Sequence, residues 1–185
     1  LAPDPVDFRD FQGIDLYAAG ANLFIDGQGR RRPLARKNDR VLIWFRELSD
    51  REAVLGHGEQ LQSFEAVFSP RDENGKPKPL WDRQSGAIDR VVAEAWKNYD
   101  IRLILERDWK TLGPKLRGKL HVFAGEKDNY YLEGAVRRLH ESLQRLGSDA
   151  VIEIAPGRDH SGLVDAELRA RRLREIAAKF RNHHQ

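Results

Sequence analysis

Asp128 and His160 are the two residues of this chain best suited, by type and position, to move a proton between substrate atoms. Asp128 ends the loop Gly125-Glu126-Lys127-Asp128, which closes one apolar run, and His160 ends Gly157-Arg158-Asp159-His160, which closes the next. A carboxylate and an imidazole that each follow a strand, with a helix between, meet outside the carboxyl ends of the strands, where open α/β sheets gather ligands. In such a pair the carboxylate accepts from the Nδ1–H, fixes the tautomer and stabilises the imidazolium that forms when the other ring nitrogen takes a proton. Acid before histidine is the chain order of a nucleophile-elbow triad, yet no Gly-x-Ser-x-Gly occurs anywhere in the 185 residues. A second role stands beside the first: Gly-x-x-Asp after a strand also suits a turn whose Asp caps the helix starting near Tyr130.

The elements that must position these loops follow from hydrophobic spacing. Residues 119–124 form a short apolar run bounded by Gly118 and Gly125, and residues 150–155 a second one stopped by Pro156-Gly157, so both are predicted as strands. Between them Leu132, Val136, Leu139, Leu143 and Leu146 mark a helix ending at Gly147, which predicts two parallel strands joined by a crossover. Leu168, Leu173, Ile176, Ala177 and Phe180 give a last amphipathic helix.

Upstream the pattern is less regular. Pro3 and Pro5 make the opening a loop, and the glycines scattered through residues 9–37 predict irregular surface structure. Val41, Leu42, Phe45 and Leu48 are spaced for a helix face, with Ser49 and Glu52 as a capping box; Leu61, Phe64, Val67 and Phe68 continue a helical stripe beyond Gly56-His57-Gly58. Residues 69–80 read as loop. Ile88 to Tyr99 follow Ser85 at helical spacing, and a helix over 101–109 is expected to stop at Gly113-Pro114. The division is therefore a loop-rich and helical, lid-like insertion over 1–112 and a βαβα portion over 113–185. Two parallel strands rarely hold together alone, and the chain has no Met even at position 1, so it reads as the back part of a fold whose other strands precede Leu1.

Composition bounds the function classes. Thirty-two Lys plus Arg against 29 Asp plus Glu leave +3, too balanced for a nucleic-acid binder despite a pI near 9.3, and the runs Arg30-Arg31-Arg32 and 169–174 are broken by apolar residues and Pro33. With no Cys, disulfides, thiol catalysis and cysteine metal sites are excluded. No apolar run reaches the roughly 20 residues of a membrane span.

Other chemistry-bearing residues carry weaker signals. Ser63 lies on a helix, Ser85 precedes a single glycine and Ser161 adjoins His160, so none sits in a strand-turn-helix elbow. His57 reads as a loop histidine, His121 and His140 as structural, and His183-His184 as a solvated terminus. Asp72-Glu73-Asn74-Gly75 lacks the alternating ligands of a calcium loop and reads as a turn. Trp44, Trp81, Trp96 and Trp109 are expected to anchor the helical insertion.

Leu120 to Gly125, Lys127-Asp128-Asn129-Tyr130-Tyr131-Leu132-Glu133 and Pro156-Gly157-Arg158-Asp159-His160 together resemble the end of the esterase family of α/β-hydrolases, the enterochelin-esterase-like and feruloyl-esterase-like group. The resemblance covers residues 114–165 and is weaker over 1–112. It implies the last two parallel strands of an α/β-hydrolase fold, a triad whose acid maps onto Asp128 and whose base maps onto His160, no cofactor, a small-molecule ester substrate for the full protein, and a periplasmic or secreted setting. It also implies a missing N-terminal portion of the same fold that supplies the serine and the oxyanion donors, without which this chain alone is expected to be inactive. Neither nucleic acid nor membrane is an expected partner. A peptidase of the prolyl-oligopeptidase type, which shares the loops, and a non-catalytic module that keeps the scaffold without its nucleophile are the competing readings.

Overall fold

The computed structural model describes residues 5–56 and 59–183; His57 and His184 lie outside the described residues. The protein is mixed helix and strand, with one small parallel sheet. A 3-10 turn (Phe8–Asp10) leads to a hairpin of β1 (Pro33–Lys37) and β2 (Arg40–Trp44). Helices α1 (Phe45–Leu55), α2 (Gln60–Phe68), α3 (Arg90–Trp96) and α4 (Ile101–Leu116) come next. The chain then runs through β3 (His121–Gly125), α5 (Glu133–Arg145), β4 (Val151–Ala155) and α6 (Ala166–His183). Strands β3 and β4 are parallel and in register from His121 opposite Val151 to Gly125 opposite Ala155.

Two cores form. The first is aromatic: Phe8, Phe11 and Trp96 are buried and meet Phe64 and Phe68 at ring-centroid distances of 5.2 to 6.3 Å, mostly edge to face. The indole N–H groups of Trp96 and Trp81, inside this core, donate to the Ser69 and Ser49 hydroxyls, each at 3.0 Å. The second core lies where α4 and α5 cover one face of the parallel sheet, packing Leu105, Val136, Leu139 and Leu143 against Val122, Ala124, Ile152 and Ile154. Trp109 packs against this core and not the aromatic one.

A buried polar junction joins the two. Asp100 caps α4 by accepting from the Leu103 N–H at 3.0 Å, and also accepts from the Phe8 N–H at 3.0 Å and the Tyr17 hydroxyl at 2.9 Å. Val6, close to this knot, reaches the second core while Phe8 fills the first.

Several local expectations are corrected. Residues 33–44 form a hairpin, where irregular structure and the start of a helix were expected. Asn38 supplies the left-handed turn residue (φ 55°), and the β-branched and aromatic run Val41 to Trp44 outweighs the helical spacing. Ser49 and Glu52 lie inside α1 and cap nothing there: Ser49 holds Trp81, and Glu52 accepts from Leu61 and Gln62 at the start of α2, at 2.8 and 2.9 Å. The cap of α1 is Glu47, reaching back to the Trp44 N–H. Asp89 caps α3 by accepting from the Val91 and Val92 N–H groups. Helix α4 kinks at a non-helical Asp108 and runs on through Gly113-Pro114 to Leu116, with the Trp109 indole against Gly113, where a Cβ would come within 2.9 Å of the ring. No helix of the described residues is long and apolar enough to cross a membrane.

Candidate functional site

The site is assembled by the paired ends of β3 and β4. Past Gly125 the chain stays stitched to the loop after β4: the Glu126 N–H donates to the Ala155 carbonyl at 3.0 Å and the Lys127 N–H to the Arg158 carbonyl at 2.9 Å. The approach is close enough that a Cβ on Gly125 would collide with the Arg158 carbonyl oxygen, which is why this position has no side chain. The Gly157 N–H answers by donating to the Glu126 carboxylate at 2.9 Å.

This double stitch sets Asp128 opposite His160. Asp128 is fully buried, and its two oxygens do different things. One accepts from the Tyr130 N–H at 2.8 Å and weakly from the Leu132 N–H at 3.4 Å, closing the turn ahead of α5. The other lies 2.9 Å from His160 Nδ1. The turn-closing contact and the contact with the imidazole are therefore both made, one on each oxygen. A carboxylate can only accept, so Nδ1 donates the shared proton, and in the neutral imidazole the lone pair then lies on Nε2. The imidazole is one-third exposed, with Tyr130 edge-on to its ring at a centroid distance of 5.2 Å. A buried acceptor behind a partly exposed ring orients the imidazole and leaves its basic nitrogen able to receive a proton.

Three residues that sequence reasoning gave no role, Asn129, Arg36 and Glu133, brace the pair. The His160 N–H donates to Asn129 Oδ1 at 3.1 Å, and Asn129 Nδ2 donates to the Arg36 carbonyl at 2.7 Å. Arg36, on β1, donates from its backbone N–H to the Asn129 carbonyl at 2.8 Å and from Nε to the Asp128 carbonyl at 3.0 Å. Its other guanidinium arm meets Glu133 at 2.6 Å, and the group lies 4.4 Å from the centre of the Tyr131 ring. Burial pushes the Glu133 carboxyl above its ordinary range in spite of that cation. Nothing local in residues 33–37 announces a contact with a loop some ninety positions on. Only the run Asp128-Asn129-Tyr130 itself offered a signal.

The remaining candidates stay apart from the site. The Ser63 hydroxyl donates to the Gln60 carbonyl within α2, and Ser85 donates to Asp82 in a surface turn. Among the described residues no serine hydroxyl bonds to His160. His121 lies on β3 with Nδ1 facing Arg172 at 2.7 Å, and burial followed by that cation keeps it below its ordinary range. His140 is half-buried on α5. Asp72 closes a turn by accepting from Asn74 and Lys76. Among the described residues no group of three His, Asp or Glu side chains is placed to hold a metal ion.

Comparison of the chain with protein-family models, with curated proteins and with solved structures finds no match.

Proposed function

We propose that this chain carries the acid and base of a serine-hydrolase centre, of the carboxylic-ester hydrolase class, within an α/β-hydrolase fold. The observation that carries the reading is the fully buried Asp128 carboxylate 2.9 Å from Nδ1 of a partly exposed His160, at the adjoining carboxyl ends of two parallel strands. His160 Nε2 takes the proton from an attacking serine hydroxyl and returns it to the departing alkoxide, while Asp128 holds the ring and stabilises its cationic form. The substrate is a small-molecule ester.

The serine and the oxyanion donors come from a part of the fold outside these residues. Two features support that assignment. Among the described residues β3 has no strand on its edge away from β4, whereas parallel strands are ordinarily interior strands covered on both faces. On the sheet face away from α5, Arg171 and Arg172 of α6 lie over Phe123 while Leu173 and Ile176 of the same helix stay exposed.

Turnover of short-chain p-nitrophenyl esters by the full-length gene product tests the reading. The expected result is measurable hydrolysis that falls about 10⁴-fold or more in Asp128→Ala and His160→Ala. A gene product without an elbow serine, or hydrolysis indifferent to both substitutions, would leave the non-catalytic module as the better account.

A further inference from the structure

Within the reading of Asp128 and His160 as acid and base, we infer that Asn129 is a positioning residue for the imidazole, with Arg36 as its anchor on the hairpin. The inference rests on that reading.

Asn129 spends both functions of its carboxamide between loops. Oδ1 receives the His160 N–H at 3.1 Å and Nδ2 donates to the Arg36 carbonyl at 2.7 Å, while its main-chain carbonyl accepts from Arg36 N–H at 2.8 Å. The side chain thereby imitates one rung of a strand pair against β1 and at the same time pins the backbone of the base. Asp128 fixes only the ring of His160; Asn129 fixes the peptide from which that ring hangs. The loop 157–162 needs such a hold, because it leaves β4 through Gly157 and carries an exposed Gly162, and its other ties run to neighbouring turns. Arg36 completes the brace from the far side by donating to the carbonyl of Asp128 itself, so acid and base are referred to one strand residue. A one-carbonyl, one-amide group is required here. Aspartate would keep the acceptor for His160 and turn its other oxygen against the Arg36 carbonyl, and alanine would keep neither bond.

The test is heteronuclear NMR of the histidine ring and amide on the intact chain at neutral pH, in wild type, Asn129→Ala, Asn129→Asp and Asp128→Ala. Wild type is expected to show the Nδ1–H, bare Nε2 tautomer for His160, and Asp128→Ala to move it toward the more usual Nε2–H form. Asn129→Ala is expected to speed His160 amide exchange about tenfold, as loss of one hydrogen bond would, and to broaden the tautomer toward a mixture while far-UV dichroism stays native. Asn129→Asp is expected to keep the amide protected and still relax the tautomer, which keeps the test decisive should the alanine variant unfold. If Asp128→Ala moves the tautomer and neither Asn129 variant does, Asn129 is structural only and the acid–base reading stands. If Asp128→Ala leaves the tautomer unmoved, the acid–base reading falls and the inference with it.

Discussion

Asp100 and Asp128 are both fully buried, both precede a helix and both accept backbone N–H groups from the turn that opens it, yet only one of them has a partly exposed imidazole among its partners. Asp100 spends its oxygens on three fixed donors, the Leu103 and Phe8 amides and the Tyr17 hydroxyl, with Arg102 4.0 Å away. Burial, together with the adjacent carboxylate, holds the Tyr17 phenol far above its ordinary range, so that donor stays protonated. Asp128 gives one oxygen to backbone and the other to an imidazole that water can reach. A closed carboxylate stabilises a junction; one whose last partner can gain and lose a proton at the surface can pass a charge. Burial of an acid therefore says little about function until each of its oxygens is followed to its partner.

The contrast can be broken from both sides. Asp100→Ala should cost the most, about 3 kcal/mol or more in urea unfolding, because it strands two amides, a half-buried hydroxyl and part of the charge balance of Arg102. Asp128→Ala should cost less, about 1–3 kcal/mol, since the Leu132 N–H is held only at 3.4 Å and the imidazole it would strand is partly exposed; equal costs would mean that the two acids do the same job. His160→Ala should cost about 1 kcal/mol or less, the ring being partly exposed, and should thus separate stability from the proposed proton transfer. A pH titration sharpens the closed side. Burial pushes Asp7 up, but hydrogen bonds from Arg9 and the charge of Arg102 outweigh it, so its carboxyl sits below the ordinary 3.8. Its contribution is present above that value and is lost as pH falls through the lower folded value; Asp7→Asn should flatten acid unfolding in that window alone. Ser63→Ala, which loses only a bond to the Gln60 carbonyl within α2, should shift stability by no more than about 0.5 kcal/mol in the same urea unfolding.

The parallel strands, their joining helix and the meeting of Asp128 with His160 were legible because they rest on local signals: apolar runs closed by glycine, a leucine stripe, and a topology that brings two loop ends together. The brace was not. Arg36 sits among Pro33, Lys37 and Arg40, a charged stretch that reads as surface, and its value lies wholly in groups on a distant loop. Ser49 and Glu52 show the same effect in reverse: a pattern that looks like a helix start is spent on tertiary partners, Trp81 and the amides of α2. Gly113-Pro114 reads as a stop, yet α4 runs on past it to Leu116 with the Trp109 indole packed on the glycine. Long-range hydrogen bonds and aromatic packing override local preference in each case.

The most direct test of the central claim is the ring-nitrogen spectrum of His160 in the unmodified chain at neutral pH. The account predicts a protonated Nδ1 held by Asp128 and a bare Nε2, a base ready to act. A spectrum dominated by the Nε2–H tautomer would mean that Asp128 does not hold the ring, and that the pair is a structural contact.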